Sequence, residues 1–292
     1  MTNRRDFLKT AIAVAAGACL AGKSMESIAA APAGKKKIGL QLYSLRQAMQ
    51  TDALGTLKIV AKQGWKELEP ASYADGKMYN MTPKEINKVC KDLGMKLVSA
   101  HIGGGMTYTK DNGAKSLDWW KKAVEDHKEA GMSYVVQPSM GLNEKSSLAE
   151  YDVQCEYYNK IGEIAKSGGL FFGYHNHSGE FKQTEGKVIY DYLLAKTDPK
   201  LFFLEMDVYW AVKGGVDPVK YFEQYPDRFP VLHIKDEKEI GASGTMDFES
   251  IFKAAYKNKL EAYFVEVERY DFDPIVSVQK SFDFLNNAAY VK

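Results

Sequence analysis

From residue 38 to the end, the chain repeats one unit eight times: a short apolar run, then an amphipathic stretch closed by a turn signal. The apolar runs fall at 38–43, 66–69, 96–101, 134–137, 171–175, 202–207, 231–235 and 263–268. Between them the 3.6-residue periodicity predicts helices near 52–63, 82–93, 115–130, 147–167, 186–196, 217–225 and 247–257, with a last one near 274–289. Helix ends are punctuated by Gln63-Gly64, Leu93-Gly94, Ala130-Gly131 and Ser167-Gly168-Gly169, where glycine supplies the left-handed residue that stops a helix. Thr82-Pro83-Lys84-Glu85 is an N-terminal cap with proline at the first helical position, and Asp217-Pro218 and Asp273-Pro274 open two further helices. Eight parallel strands with crossover helices close most simply as an α/β (β/α)8 TIM barrel. The competing fold, an open doubly wound sheet, begins with a Gly-rich phosphate loop after its first strand. Here that place holds Tyr43-Ser44-Leu45-Arg46, so the barrel is favoured.

The N-terminus reads as an address. Arg4-Arg5 is followed by the apolar stretch 11–21 and the small residues Ser27 and Ala29 to Ala31, which form a twin-arginine export signal too short to span a membrane. Cleavage is expected near Ala29 to Ala31, leaving residues 31–292 as one barrel domain in the periplasm. Lipid attachment at Cys19, after Ala-Gly-Ala, is the weaker alternative. Loss of residues 1–30 removes Arg4, Arg5, Lys9, Lys23, Asp6 and Glu26, taking the formal charge from +1 to −1. Beyond Lys35-Lys36-Lys37 there is no basic run, so nucleic acid is a poor partner, and no stable membrane insertion of the mature chain is expected. A small carbohydrate substrate is the expected partner, and a homo-oligomer is compatible with the composition. Cys90 and Cys155 are too few for a disulfide framework, although a single bridge stays open.

In such barrels the C-terminal ends of the strands point into one pocket. Those ends carry Gln41, Tyr43, Glu69, His101, Gln137, His175, His177, Asp207, His233, Lys235, Glu266 and Glu268, which describes a wet, charged mouth rather than a packed core. His175 and His177, with Glu180 close behind, suggest a divalent metal, and the chain lacks the helical His-Glu-x-x-His spacing of zinc proteases. Asp207 is either a ligand or the cap of the following loop, with Trp210 offering a face for a sugar ring. Glu205 alternates with Asp207 and is the alternative to it as ligand, although it is expected lower in the barrel. Glu266 is preferred over Glu268 as the eighth-strand ligand. Lys235, beside His233, is placed to neutralise an enediolate or bind an anion, or else to pair with Asp236 or Glu266. Glu180 reads as a proton carrier that swings over the pocket, or as a capping carboxylate. His101 opens the Gly103-Gly104-Gly105 loop, a possible lid, and His127, among charges on its helix, is expected to be solvated. A set of His and carboxylate ligands suits Mn²⁺, Mg²⁺, Co²⁺ or Zn²⁺.

At these residues the chain resembles the sugar phosphate isomerase/epimerase superfamily of xylose isomerase-like TIM barrels, with inosose-dehydratase-like and tagatose-epimerase-like members. The matching landmarks run from Ile38-Gly39-Leu40-Gln41-Leu42-Tyr43 through Glu69, Tyr174-His175-Asn176-His177 with Glu180, and Asp207, to His233-Ile234-Lys235-Asp236 and Val265-Glu266. The resemblance implies a metal held from strands five to eight, falling here on His175, Asp207, His233 and Glu266. The residues themselves suggest catalytic roles for Glu180, Lys235, His101 and His177, and substrate contacts from Gln41, Tyr43, Glu69, Trp210 and Glu268. The superfamily's usual first ligand is Glu. His175 departs from it as inosose-dehydratase-like members do, which raises dehydration or β-elimination of a keto-sugar or 3-keto-glycoside against simple epimerisation. Trp210, where endonuclease-like members place a further His, argues against a nuclease. The implied activity is metal-dependent isomerisation or epimerisation of a sugar, cyclitol or keto-sugar, which the export signal, by separating the enzyme from cytoplasmic sugar phosphates, makes a non-phosphorylated one; a catalytically inactive periplasmic sugar-binding barrel is the alternative.

Overall fold

The computed structural model describes residues 36–103 and 113–292. Eight parallel strands run β1 Gly39–Gln41, β2 Glu67–Glu69, β3 Lys96–Leu97, β4 Tyr134–Gln137, β5 Phe171–His175, β6 Phe202–Asp207, β7 Val231–Lys235 and β8 Ala262–Glu266. Their order in the sheet is β3-β2-β1-β8-β7-β6-β5-β4. The chain beyond β3 completes the ring, because His101 bridges Val136 and the Ile102 N–H donates to the Val136 carbonyl at 2.8 Å. The crossover helices are α1 Ala53–Gln63, α2 Pro83–Asp92, α3 Gly113–Glu129, α4 Leu148–Ser167, α5 Ile189–Lys196, α6 Pro218–Gln224, α7 Phe248–Lys257 and α8 Pro274–Asn287. This is the expected (β/α)8 barrel.

Local chemistry sets the boundaries. Thr82 and Glu85 cap α2 reciprocally, and Gly64 ends α1 at φ 106°, a conformation any Cβ would strain. At the other end of the fold, Lys36 Nζ donates to the Leu285, Asn286 and Ala288 carbonyls, clipping the C-terminus of α8 with a positive charge. The helix expected from 186 starts only at Ile189. Gln183–Thr184 and Lys187–Val188 pair instead as a small hairpin around Glu185 and Gly186, both at positive φ.

Inside the ring, strand alternation stacks the side chains in layers. An apolar plug of Val98, Tyr134, Val136, Phe203, Val231, Ala262 and Phe264 fills one end. Two residues further along β6 and β7 come Glu205 and His233, and two further still Asp207 and Lys235, so the barrel turns from apolar to ionisable within a few ångströms. Gly173, level with Phe203, leaves room for that ring, since a Cβ there would lie 2.5 Å from it.

Three expectations need comment. His127 is fully buried rather than solvated: its face of α3 packs inward, its ring lies 4.7 Å from that of Tyr73, and its Nδ1 donates to the Ala123 carbonyl at 2.6 Å. Cys90 and Cys155 are both unbridged and buried. The export signal, Cys19 and most of the glycine loop after His101 lie outside the described residues. No helix among the described residues is long and apolar enough to cross a membrane.

Candidate metal centre

The strand exits gather their ionisable groups in two tiers. In the upper tier, one ligand atom each from His175, Asp207, His233 and Glu266 lie within 4.8 Å of one another, and all four residues are buried. β5 to β8 deliver them in sequence, with Asp207 level with His233 and Glu266 level with Lys235 in the sheet register. His175 Nε2 stands 3.9 Å from Asp207 Oδ2, and His233 Nδ1 stands 3.4 Å from Glu266 Oε2.

Asp207 takes the capping role that its position suggested, and it presents its second oxygen to the cluster. Its Oδ1 accepts the Trp210 N–H at 2.9 Å, capping a short helix over Val208–Lys213. Its Oδ2 is buried without a hydrogen-bond partner among the described residues, and so is His233 Nδ1. Two orphaned donor atoms facing a buried His and Glu are the chemistry a divalent ion satisfies. Separations of 3.4 and 3.9 Å are close to the edges of a tetrahedron whose corners lie about 2.1 Å from a central ion. The residues present therefore fit a metal.

The lower tier lies one alternation deeper. Glu69 Oε2 accepts from His233 Nε2 at 2.6 Å and from Gln41 Nε2 at 2.7 Å. Glu205 Oε2 accepts from His101 Nε2 at 2.6 Å and from His175 Nδ1 at 3.2 Å. The His101 ring stacks on His233 at 4.8 Å with only 6° between planes, and it meets His175 edge-on at the same distance. Gln41, Glu69 and Glu205 have no exposure at all.

Electrostatics separates the members. Burial pushes Asp207 up to about 7, with Lys235 opposing and Glu266 reinforcing. Burial and the neighbouring Glu69 charge likewise push Glu205 up to about 7. Burial would raise Glu266 too, but Lys235 and His233 outweigh it and hold that carboxyl well below its ordinary range. Burial and two neighbouring imidazoles push His175 well down, leaving it neutral. For His233, burial is outweighed by Glu205 and Glu69, which raise it. Lys235 is likewise raised, its burial overcome by Glu266, Asp207 and Glu268.

At the rim, Lys235 Nζ lies 3.0 Å from Glu266 Oε2, 2.6 Å from Glu268 Oε2 and 5.5 Å from the centre of the Trp210 ring. Glu268, just past β8, keeps about a third of its side chain exposed. The His177 ring is 5.1 Å from His175 and 5.7 Å from Trp210, and burial lowers its basicity. Glu180 is tied on both oxygens, to the Tyr174 hydroxyl at 2.5 Å and the His177 N–H at 3.0 Å, so the capping alternative describes it in this state. Tyr43 is 41% exposed and lies under the Arg46 guanidinium. Glu205, absent from the expected ligand set, is the centre of the lower tier. Its Glu-x-Asp alternation with Asp207 was the signal for it.

Residues 57–288 match the xylose isomerase-like TIM barrel family. The chain belongs to that family. Residues 1–21 match the signal sequence of the twin-arginine translocation pathway, so the chain carries an export signal. An inosose dehydratase of Clostridium beijerinckii is 24% identical over 260 residues, covering 74% of this chain and 84% of that protein. A sugar phosphate isomerase/epimerase from Parabacteroides distasonis superposes with a TM-score of 0.83 at 38% identity, over 92% of this chain and 99% of that one. At 13% identity the IolI protein, solved with a bound zinc atom, shares the fold with a TM-score of 0.69 over 87% of this chain and 98% of that one.

Proposed function

We propose that the mature protein is a periplasmic enzyme of residues 31–292 that uses one divalent metal to move a proton on the carbon beside a carbonyl of a non-phosphorylated sugar, cyclitol or keto-sugar. The observation that carries this reading is the pair of orphaned buried atoms, Asp207 Oδ2 and His233 Nδ1, facing His175 and Glu266. His175, Asp207, His233 and Glu266 would hold the ion, which supplies Lewis acidity to adjacent substrate oxygens. IolI with its zinc supports a metal in this fold, and the named relatives support a sugar-like substrate.

The remaining groups divide the labour. Lys235 brings a fixed positive charge to the rim, where an enediolate oxygen develops. Its carboxylate neighbours keep it protonated, so it acts as an electrostatic clamp and not as a base. The His177 imidazole, neutral because burial lowers it, is the proton acceptor at the open side. Trp210 offers its ring as the face on which a pyranose or cyclitol stacks, and Glu268 reaches the same space. Beside His177 and Glu180 a cavity of about 200 Å³, walled by Met140, Tyr151 and Tyr174, gives room for the rest of the substrate.

Elimination is favoured over epimerisation by one feature of the site. Inverting a carbon requires proton carriers on both faces, yet Glu266 and Glu268 both bind Lys235, and Glu180 is tied by Tyr174 and His177. With one base, removal of the α-proton is followed by departure of the β-hydroxyl as water or of a β-alkoxide as alcohol, giving the unsaturated ketone. The test is turnover of inososes, keto-sugars and 3-keto-glycosides by metal-reconstituted protein in D₂O, followed by NMR. Chelation should abolish turnover, deuterium should exchange into the α-carbon of recovered substrate, and the enol formed by elimination should take deuterium at the former β-carbon when it ketonises. Tight sugar binding that survives chelation, without turnover, would instead identify an inactive binding barrel.

A further inference from the structure

We infer that Glu69 and Glu205 form a buried carboxylate floor that fixes the ring orientations of His233 and His175 and which nitrogen of each faces the ion, and so sets the affinity of the metal seat above them. The inference rests on the metal reading and adds to it a layer of positioning residues. Each imidazole has two nitrogens, and only the one without a proton can bind an ion. Glu69 accepts the His233 Nε2–H at 2.6 Å, which makes Nδ1, 3.4 Å from Glu266, the nitrogen whose proton an ion displaces. Glu205 takes the proton of His175 Nδ1 at 3.2 Å, which leaves Nε2 bare toward Asp207. Each carboxylate is anchored through Oε2, Glu69 by Gln41 and Glu205 by His101, and His101 also stacks flat on His233 to fix its ring. On this geometry His101 is a positioning residue. A carboxylate behind a ligating imidazole both selects the tautomer and raises its basicity as a ligand.

The lower tier offers His101, His175, Glu205 and His233 as a second cluster of possible ligands. A second ion there would use the nitrogens of His175 and His233 opposite to those facing the first, forcing both rings to lose every proton. The 2.6 Å spacings are also those of charge-assisted hydrogen bonds, shorter than the edges of a coordination shell. The floor is therefore a proton-holding layer and not a second metal seat.

The experiment uses the mature chain and its Glu69→Gln and Glu205→Gln variants, with Zn²⁺ and Mn²⁺ affinities read by competition against a fluorescent chelator. The wild type should bind one ion per chain, and each variant should bind 10–100-fold more weakly. Nitrogen-15 NMR of metal-free wild type should show a proton on His233 Nε2, and a proton on His175 Nδ1 with a bare Nε2. Should a variant not fold, Gln41→Leu still reads the effect through Glu69, with a several-fold loss of affinity. Unchanged affinity in the folded variants, the opposite His175 tautomer, or two ions per chain would overturn the floor while leaving the metal reading standing. A wild-type chain that binds neither ion would overturn the metal reading and this inference together.

Discussion

Asp207→Asn separates the two roles of this residue and reverses the usual sign of an active-site mutation. Asparagine keeps an Oδ1 acceptor for the Trp210 N–H, so the helix cap at 2.9 Å survives. What disappears is a buried carboxylate whose other oxygen has no hydrogen-bond partner and whose ionisation is pushed from 3.8 up to about 7. The unfolded chain ionises this group near 3.8, whereas the metal-free fold resists until about 7. The fold thus binds the extra proton in between, and its stability is lost as pH rises through that window. Three pK units at about 1.4 kcal/mol each make the penalty roughly 4 kcal/mol above pH 7.5 and roughly 2 kcal/mol at pH 5, vanishing near pH 3. In chelator-treated protein Asp207→Asn should therefore melt higher than wild type by on the order of 10 °C at pH 8, with the gap narrowing toward pH 5. The same variant should bind Zn²⁺ or Mn²⁺ more weakly than the 10–100-fold loss that follows removal of an outer partner. Thermal unfolding by circular dichroism with and without metal reads both effects. Equal melting temperatures at pH 8 without metal would show that Asp207 is already satisfied, and the orphaned-oxygen argument for the ion would fall.

Lys235→Met should lower kcat by 10²–10³-fold in the turnover assay, the range seen when one oxyanion-stabilising donor is lost. Metal affinity should rise in the same variant by about tenfold, because Glu266 is released from a competing cation; weaker binding would show that Lys235 supports the seat. His127 is pushed down to about 4 by burial, so the fold loses up to about 3 kcal/mol as pH falls from 6.5 to 4, while the unfolded chain takes the proton. His127→Phe should flatten that part of the profile of melting temperature against pH, and an unaltered slope would mean that the acid sensitivity lies elsewhere. Gly39→Ala, whose Cβ would lie 2.4 Å from the Tyr263 carbonyl oxygen, should destabilise by about 1–3 kcal/mol in urea unfolding. An unchanged midpoint would mean that β1 and β8 can spread at no cost.

Which parts of the centre the sequence reveals follows from strand geometry. Alternation with period two states which residues face inward, and the C-terminal ends of barrel strands state which end is the mouth. Together they place His175, Asp207, His233 and Glu266 in one tier from four short runs. Depth is not encoded the same way, because the stagger between strands decides which inward residues share a layer. Glu69 and Gln41 end their strands, as Asp207 ends β6, and so read as mouth residues. Yet the Gln41 amide is spent at both ends, donating to Glu69 and accepting the Tyr43 N–H at 3.0 Å, and Glu69 Oε2 accepts from His233. Glu205 shows the reverse. It looks like a deeper copy of Asp207, and only the three imidazoles arriving from β5, β7 and the extension of β3 give it a purpose. Glu180 was legible in retrospect, since it stands three residues after His177, the spacing of a capping box, although its Tyr174 partner is set by packing alone. His127 misled because its neighbours in sequence are charged, while helix rotation turns its ring toward Tyr73. In each case the sequence states what a side chain can do, and the partner that commits it comes from a different strand. For this reason tautomer and metal affinity, which respond to those partners, test the site more sharply than replacement of the ligands themselves.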